Sequence, residues 1–141
     1  MDAEKLIEAI QHINEKFSDK EWAKAQNGNV LSYTAMKLAA MKAYLIDVKS
    51  NAYAELLDAE IELETYKGMA YKKYKESDGA TAAQDMKNLD EDYIEAKRYY
   101  AGRKVFYEKL KSVVADSHDL IETLRSRIID LQGSRKDESI R

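Results

Sequence analysis

The stretch 66-YKGMAYKKYKESDGATAAQ-84 decides the fold. Its first ten residues hold four lysines and three tyrosines and no acid. Asp78-Gly79 then supplies a turn signal, because glycine accepts backbone conformations that other residues resist. Thr81-x-x-Gln84 has the form of a capping box and predicts a fresh helix start. The stretch reads as the end of one helix, a tight turn and the beginning of another.

Both helices extend far from this turn. Upstream, from about Asn29 to Ser77, Gly68 is the single residue that interrupts helix-forming sequence. The apolar set there is Leu31, Leu38, Met41, Leu45, Val48, Ala52, Leu56, Ala59, Leu63, Tyr66 and Ala70. After the first step its spacings are threes and fours, as in a heptad seam. Ala52 and Ala59 leave room for a partner helix to approach closely. Downstream, a helix over about 80–132 carries Leu89, Tyr93, Ala96, Tyr100, Leu110, Val113, Leu120, Leu124, Ile128 and Leu131. Gly133 is its expected C-cap, and 134-SRKDESIR-141 is expected to be a flexible polar tail. Two helices of about 50 residues make a long antiparallel, coiled-coil-like hairpin of roughly 70–75 Å.

Composition supports an all-α fold. The chain has 141 residues, no proline and only five glycines. Helices gain most from the loss of both breakers. One helical domain over 1–133 is expected. Short helices precede the hairpin: 2–17, with Leu6, Ile7, Ile10, Ile13 and Phe17 on one stripe, and 19–26, restarted by a Ser18-x-x-Glu21 capping box. Asn27-Gly28-Asn29 is a turn signal.

Apolar residues also fall off the seam: Met36, Tyr44, Leu57, Ile61, Phe106, Tyr107, Val114, Ile121 and Ile129. Two long helices and a short companion have little surface to cover them, which points to a homo-oligomer. The alternative is a monomeric bundle in which the first helix folds back along the hairpin.

The basic–aromatic run admits two readings. A turn at 78–79 places 66–75 opposite roughly 82–91, which holds Asp85, Asp90 and Glu91. A second run, 97-KRYYAGRK-104, falls opposite roughly 53–60, with Glu55, Asp58 and Glu60. Both basic runs would then face acids, and charge pairing would fix the hairpin's register. In that register Lys67 pairs with Asp90, and Tyr66 and Ala70 belong to the seam. The other reading is nucleic-acid binding. Neighbouring helical residues point about 100° apart, so Lys72 and Lys73 cannot both face the partner helix. A cationic track beside aromatic faces is what a single-strand binder uses. The candidate binding set is Lys72, Lys73 and Lys75 with Tyr71 and Tyr74, joined by Lys67, Arg98, Arg103 and Lys104.

Three segments resemble a family, the UvsY-like recombination mediator proteins of tailed phages. They are 23-AKAQNGNVLSYTAMKL-38, 69-MAYKKYKESDG-79 and 99-YYAGRKVFYEKLKSVVADSHDLIETLRSRI-128, the last with Asp119, Ile121, Ser126 and Arg127 in the matching positions. The resemblance implies a phage protein that binds single-stranded DNA as a ring-forming oligomer. It would help load a RecA-type recombinase onto strands covered by single-strand-binding protein. The family's DNA-contacting basic residues precede the turn, which by position implies Lys72, Lys73 and Lys75.

Other chemistry finds little footing. The net charge of −3 provides no global attraction to nucleic acid or to an anionic membrane. His118 and Glu122 are four apart, but a metal needs further ligands that the spacing does not supply. No phosphate-binding glycine loop and no nucleophile–base motif occurs. The expectation is a non-enzyme without cofactor, metal or small-molecule substrate. The absence of cysteine and of a signal-like N-terminus suits a cytoplasmic protein. No apolar run approaches the roughly 20 residues of a membrane span. The other candidate roles are a phage interaction or inhibitor module acting on a host or defence protein, and a structural assembly coiled coil. Arg125, Arg127, Arg135, Lys136 and Arg141 make the C-terminus basic, either as a helix-end preference or as a second nucleic-acid contact.

Overall fold

A computed structural model describes the backbone of residues 2–140 and the side chains of residues 2–134. Every element among the described residues is helical: α1 (Ala3–Ser18), α2 (Lys20–Lys24), α3 (Gly28–Asp78), α4 (Ala80–Met86), a single 3-10 turn (Lys87–Leu89) and α5 (Glu91–Ile140). Among the described residues, no helix is long and apolar enough to cross a membrane. The chain forms two compact units, Met1–Val48 with Leu110–Arg141, and Lys49–Lys109.

The first unit has a core of large apolar side chains. Asp2 starts α1 by accepting the Glu4 N–H at 3.0 Å. The α1 stripe buries Leu6, Ile7 and Ile10, and Phe17 stands edge-on to Trp22 with ring centroids 5.0 Å apart. The cap of α2 is Asp19 rather than Ser18. Asp19 accepts the N–H groups of Glu21 and Trp22, while the Ser18 hydroxyl donates back to the Glu15 carbonyl. Both residues can cap, and the carboxylate also favours the positive end of the new helix. Asn27 opens α3 by accepting the Val30 N–H at 3.0 Å.

Leu31, Leu38 and Leu45 of α3 and Leu110, Val113 and Leu124 of α5 are buried, as the seam pattern predicts. Each such burial is worth roughly 1.5–3 kcal/mol. Ser117 is the one buried polar side chain among the described residues, and its hydroxyl donates to the Val113 carbonyl at 2.7 Å. Of the off-seam residues, Val114 and Ile121 are also buried here. α1 and α5 line a common cavity through Phe17 and Leu120. A first helix packed against the long ones therefore absorbs part of the apolar surface that the sequence left uncovered. Met36, Tyr44 and Ile129 stay exposed.

The second unit is built on small residues. Ala52, Ala59 and Ala70 of α3, Ala83 of α4, and Tyr93 and Ala96 of α5 are its buried apolar residues. Paired contacts join α3 to α5: Arg103 meets Glu55, the rings of Tyr53 and Tyr107 lie 5.3 Å apart, and Lys73 reaches Asp90.

Several expectations change. The single helix over 80–132 is broken at 87–90. Asp90 is extended (φ −67°, ψ 126°), and its carboxylate caps α5 by accepting the Tyr93 N–H at 3.1 Å. Leu89, expected in the seam, lies in that break and is exposed. Tyr66 is also exposed rather than core: its ring sits beside a cavity lined by Tyr99 and three carboxylates. Thr81 does not cap α4, whose N-cap is Gly79 without any side-chain hydrogen bond. Gly79 has φ +89° and ψ 166°, a region open essentially to glycine alone. The turn signal at 78–79 thus lies where the sequence puts it. α5 continues through Gly133 to Ile140, so Gly133 is no C-cap. The side chains of Arg135, Lys136 and Arg141 fall outside the described residues.

Candidate nucleic-acid interface

The basic–aromatic run occupies the last turns of α3, in the second unit. Lys73 bends to Asp90, with Nζ 3.6 Å from the carboxylate, and also lies over the Tyr74 ring at 5.2 Å. Lys75 lies over Tyr71 at 5.9 Å. Lys72 is exposed and has no acidic partner among the described residues. One of the adjacent lysines faces the partner helix and the other faces solvent, as helical geometry requires.

Lys67 does not pair with Asp90. It is half-buried beside Glu64, Tyr71 and Gln84, at a cavity of about 270 Å³. The extended backbone at Asp90 interrupts the straight helix on which the expected register rests, so Asp90 meets a lysine nearer the turn.

The second run divides in the same way. Arg103 is half-buried, paired with Glu55, and stacked over Phe106 at 5.3 Å and Tyr99 at 6.0 Å. Lys97 lies over Tyr93 at 4.3 Å. Arg98 and Lys104 are exposed without an ion pair among the described residues.

A spacing rule runs through these contacts. Tyr71 with Lys75, Tyr93 with Lys97 and Tyr99 with Arg103 are each an aromatic followed four residues later by a cation. Residues four apart on a helix are neighbours. Each such contact contributes about 0.5–1 kcal/mol where exposed. The interleaving of basic and aromatic residues thus has a local structural role. The sequence carries that signal in its i, i+4 spacing, which a search for nucleic-acid patterns overlooks.

What remains open to an anionic strand is Lys72, Arg98 and Lys104, with Lys75 once its ammonium leaves the Tyr71 face. Lys75 and Lys73 already lie over one face each of Tyr71 and Tyr74, where a base would otherwise stack. The same unit also carries an acidic cavity of about 330 Å³, where Glu62, Asp92 and Glu95 stand beside Tyr66 and Tyr99. Those carboxylates repel phosphate, so a strand would have to pass clear of this cavity.

His118 of α5 stands beside Lys42 of α3. Its Nδ1 lies 3.0 Å from the Lys42 ammonium, and lysine can only donate, so Nδ1 accepts. No group of three or more histidine, cysteine or acidic side chains among the described residues could hold a metal ion. No protein-family model, curated protein or solved structure matches this chain.

Proposed function

We propose that this chain is a non-enzymatic accessory factor of phage recombination or replication. It binds single-stranded DNA as an oligomer and helps load a RecA-type recombinase onto strands covered by single-strand-binding protein. The observation that carries this reading is the set of exposed cations without acidic partners among the described residues, Lys72 near the turn with Arg98 and Lys104 on α5. We further infer that α3 and α5 run antiparallel. Position 55 meets 103 while 73 meets 90, so the contacts run in opposite order along the two helices. The exposed Met36, Ile61 and Ile129, each about two-thirds exposed or more, support self-association. Several copies would multiply a cationic surface that is small in one. The setting would be the host cytoplasm.

Anisotropy of labelled oligo-dT across a salt series tests this, with mass from light scattering. Binding is expected at low salt, weakening as salt rises with a slope of about 0.7 per phosphate contacted. Lys72→Glu combined with Lys75→Glu should abolish it while helicity and mass stay unchanged. These two lysines are preferable to Lys73, whose loss also releases Asp90. Undetectable binding at low salt and high protein concentration would end the mediator reading.

A second reading draws on the ion pairs Lys73–Asp90 and Arg103–Glu55 and on the cation–aromatic contacts. They serve helix pairing directly, as an assembly or interaction module without nucleic acid requires. Under that reading the same charge reversal leaves no oligo-dT signal to lose.

A further inference from the structure

The first unit holds a cavity of about 220 Å³ that neither the helix pairing nor the DNA reading uses. Its apolar wall is formed by Phe17 of α1, Leu31 of α3, and Leu120 and Leu124 of α5. Three cations stand around it: Lys20 and Lys24 of α2, and Arg127 of α5. Lys20 and Lys24 are exposed and form no ion pair among the described residues. Arg127 is held from behind, its Nη2 donating to the Lys24 carbonyl at 3.3 Å. Its Nε is buried and has no hydrogen-bond partner among the described residues. A buried guanidinium N–H without an acceptor is uncommon, because the lost hydration is not replaced.

An apolar floor under unpaired cations selects a ligand that is apolar at one point and anionic beside it. The volume is below the range of about 300–1,000 Å³ usual for whole small-molecule ligands. It suits one large side chain instead. The neighbouring cavity, which shares Phe17 and Leu120, carries Asp116 and Asp119. Those acids would steer negative charge on a ligand toward the lysine side.

We propose that this pocket docks an acidic peptide segment of a partner protein. One large apolar side chain enters between Phe17 and Leu124, and adjacent carboxylates meet Lys20, Lys24 and the Arg127 guanidinium. The pocket belongs to the first unit and the basic run to the second, and the proposal does not depend on the DNA reading.

The test uses the full chain and a fluorescein-labelled, aspartate-rich peptide carrying a single phenylalanine. Anisotropy should report saturable binding that salt weakens. Replacing the peptide's phenylalanine by alanine, or its aspartates by asparagine, should each weaken binding about tenfold or more, the equivalent of 1.4 kcal/mol. Lys20→Glu with Lys24→Glu should do the same, and both residues are exposed, so helicity should be unaffected. Thr123→Phe, at an exposed position lining the cavity, should fill it and remove binding. The phenylalanine-to-alanine peptide decides the matter even if a protein variant loses helicity. Three results would overturn the proposal: no saturable binding, binding indifferent to the phenylalanine, or binding of decanoate in place of the peptide, which would mark a fatty-acid site. Oligo-dT binding should be unchanged by Thr123→Phe, so failure of either site leaves the other distinguishable.

Discussion

The two units close their helix pairs with different materials. Met1–Val48 with Leu110–Arg141 buries leucine, isoleucine and valine around a first helix that supplies Leu6, Ile7 and Ile10. Lys49–Lys109 buries mainly alanine and leaves its larger side chains at the edges, where Tyr53, Leu57 and Ile61 are exposed. An alanine seam removes little apolar area from water, so its helices need help from elsewhere. That help is electrostatic: the pairs Arg103–Glu55 and Lys73–Asp90, and the cations stacked on tyrosines. Such contacts are individually weak and open to water. By this reasoning the unit without the basic run should be the more stable, and the unit that carries the run the weaker.

The largest effect should follow from hollowing the stronger core. Leu38 is fully buried, and Leu38→Ala should cost about 2–5 kcal/mol, read by urea denaturation monitored by circular dichroism. Leu56→Ala, at a half-buried position in the second unit, should cost clearly less. Equal losses would break the contrast between the units. The next effect runs the other way in size. Ala59 is 1% exposed in the alanine seam, and Ala59→Leu should destabilise by about 1–3 kcal/mol by forcing the helices apart. It should also lower the apparent stability of Tyr53 and Tyr107 contact, read by tyrosine fluorescence. A neutral or stabilising Ala59→Leu would mean that the seam is loosely packed, and that small residues there set no helix spacing.

How much of this was legible depends on which physical signal each element carries. The helical stripes could be read because burial at threes and fours leaves a periodic mark, and most of the predicted seam, from Leu31 to Ala70, is buried or half-buried. Gly79 could be read because one residue type alone fits its backbone. The break at 87–90 could not be found from breakers, since Lys87-Asn88-Leu89-Asp90 contains neither glycine nor proline. Its mark is the cap, Asp90 followed by the acids Glu91 and Asp92 in the first turn of α5. Gly133 misled in the opposite sense, because a glycine ends a helix only where the chain also turns. In the candidate site, the charge partners of the basic runs were legible as regions and not as pairs. Asp90 was expected to meet Lys67 and meets Lys73, because register across a broken helix cannot be counted along a straight one. The pocket around Phe17 and Arg127 left no mark at all, since it joins residues from four helices with no shared periodicity.

The smallest predicted effect decides most about the basic run. Asp90 has two jobs: it caps α5 through the Tyr93 N–H at 3.1 Å, and it meets Lys73 at 3.6 Å. Asp90→Ala removes both and should cost about 1 kcal/mol, the usual worth of an N-cap. Asp90→Asn keeps an oxygen for the cap and removes only the charge. Because the Lys73 side chain is 67% exposed, water screens the pair, and Asp90→Asn should cost no more than a few tenths of a kcal/mol. The two variants, compared by urea denaturation, therefore separate the cap from the pair. If Asn proves as costly as Ala, the lysine–aspartate contact is what holds the start of α5, and Lys73 is committed to the fold. If Asn is nearly silent, Lys73 can leave Asp90 at little cost. It can then join Lys72 and Lys75 on a phosphate backbone, and the cationic surface near the turn gains its third lysine.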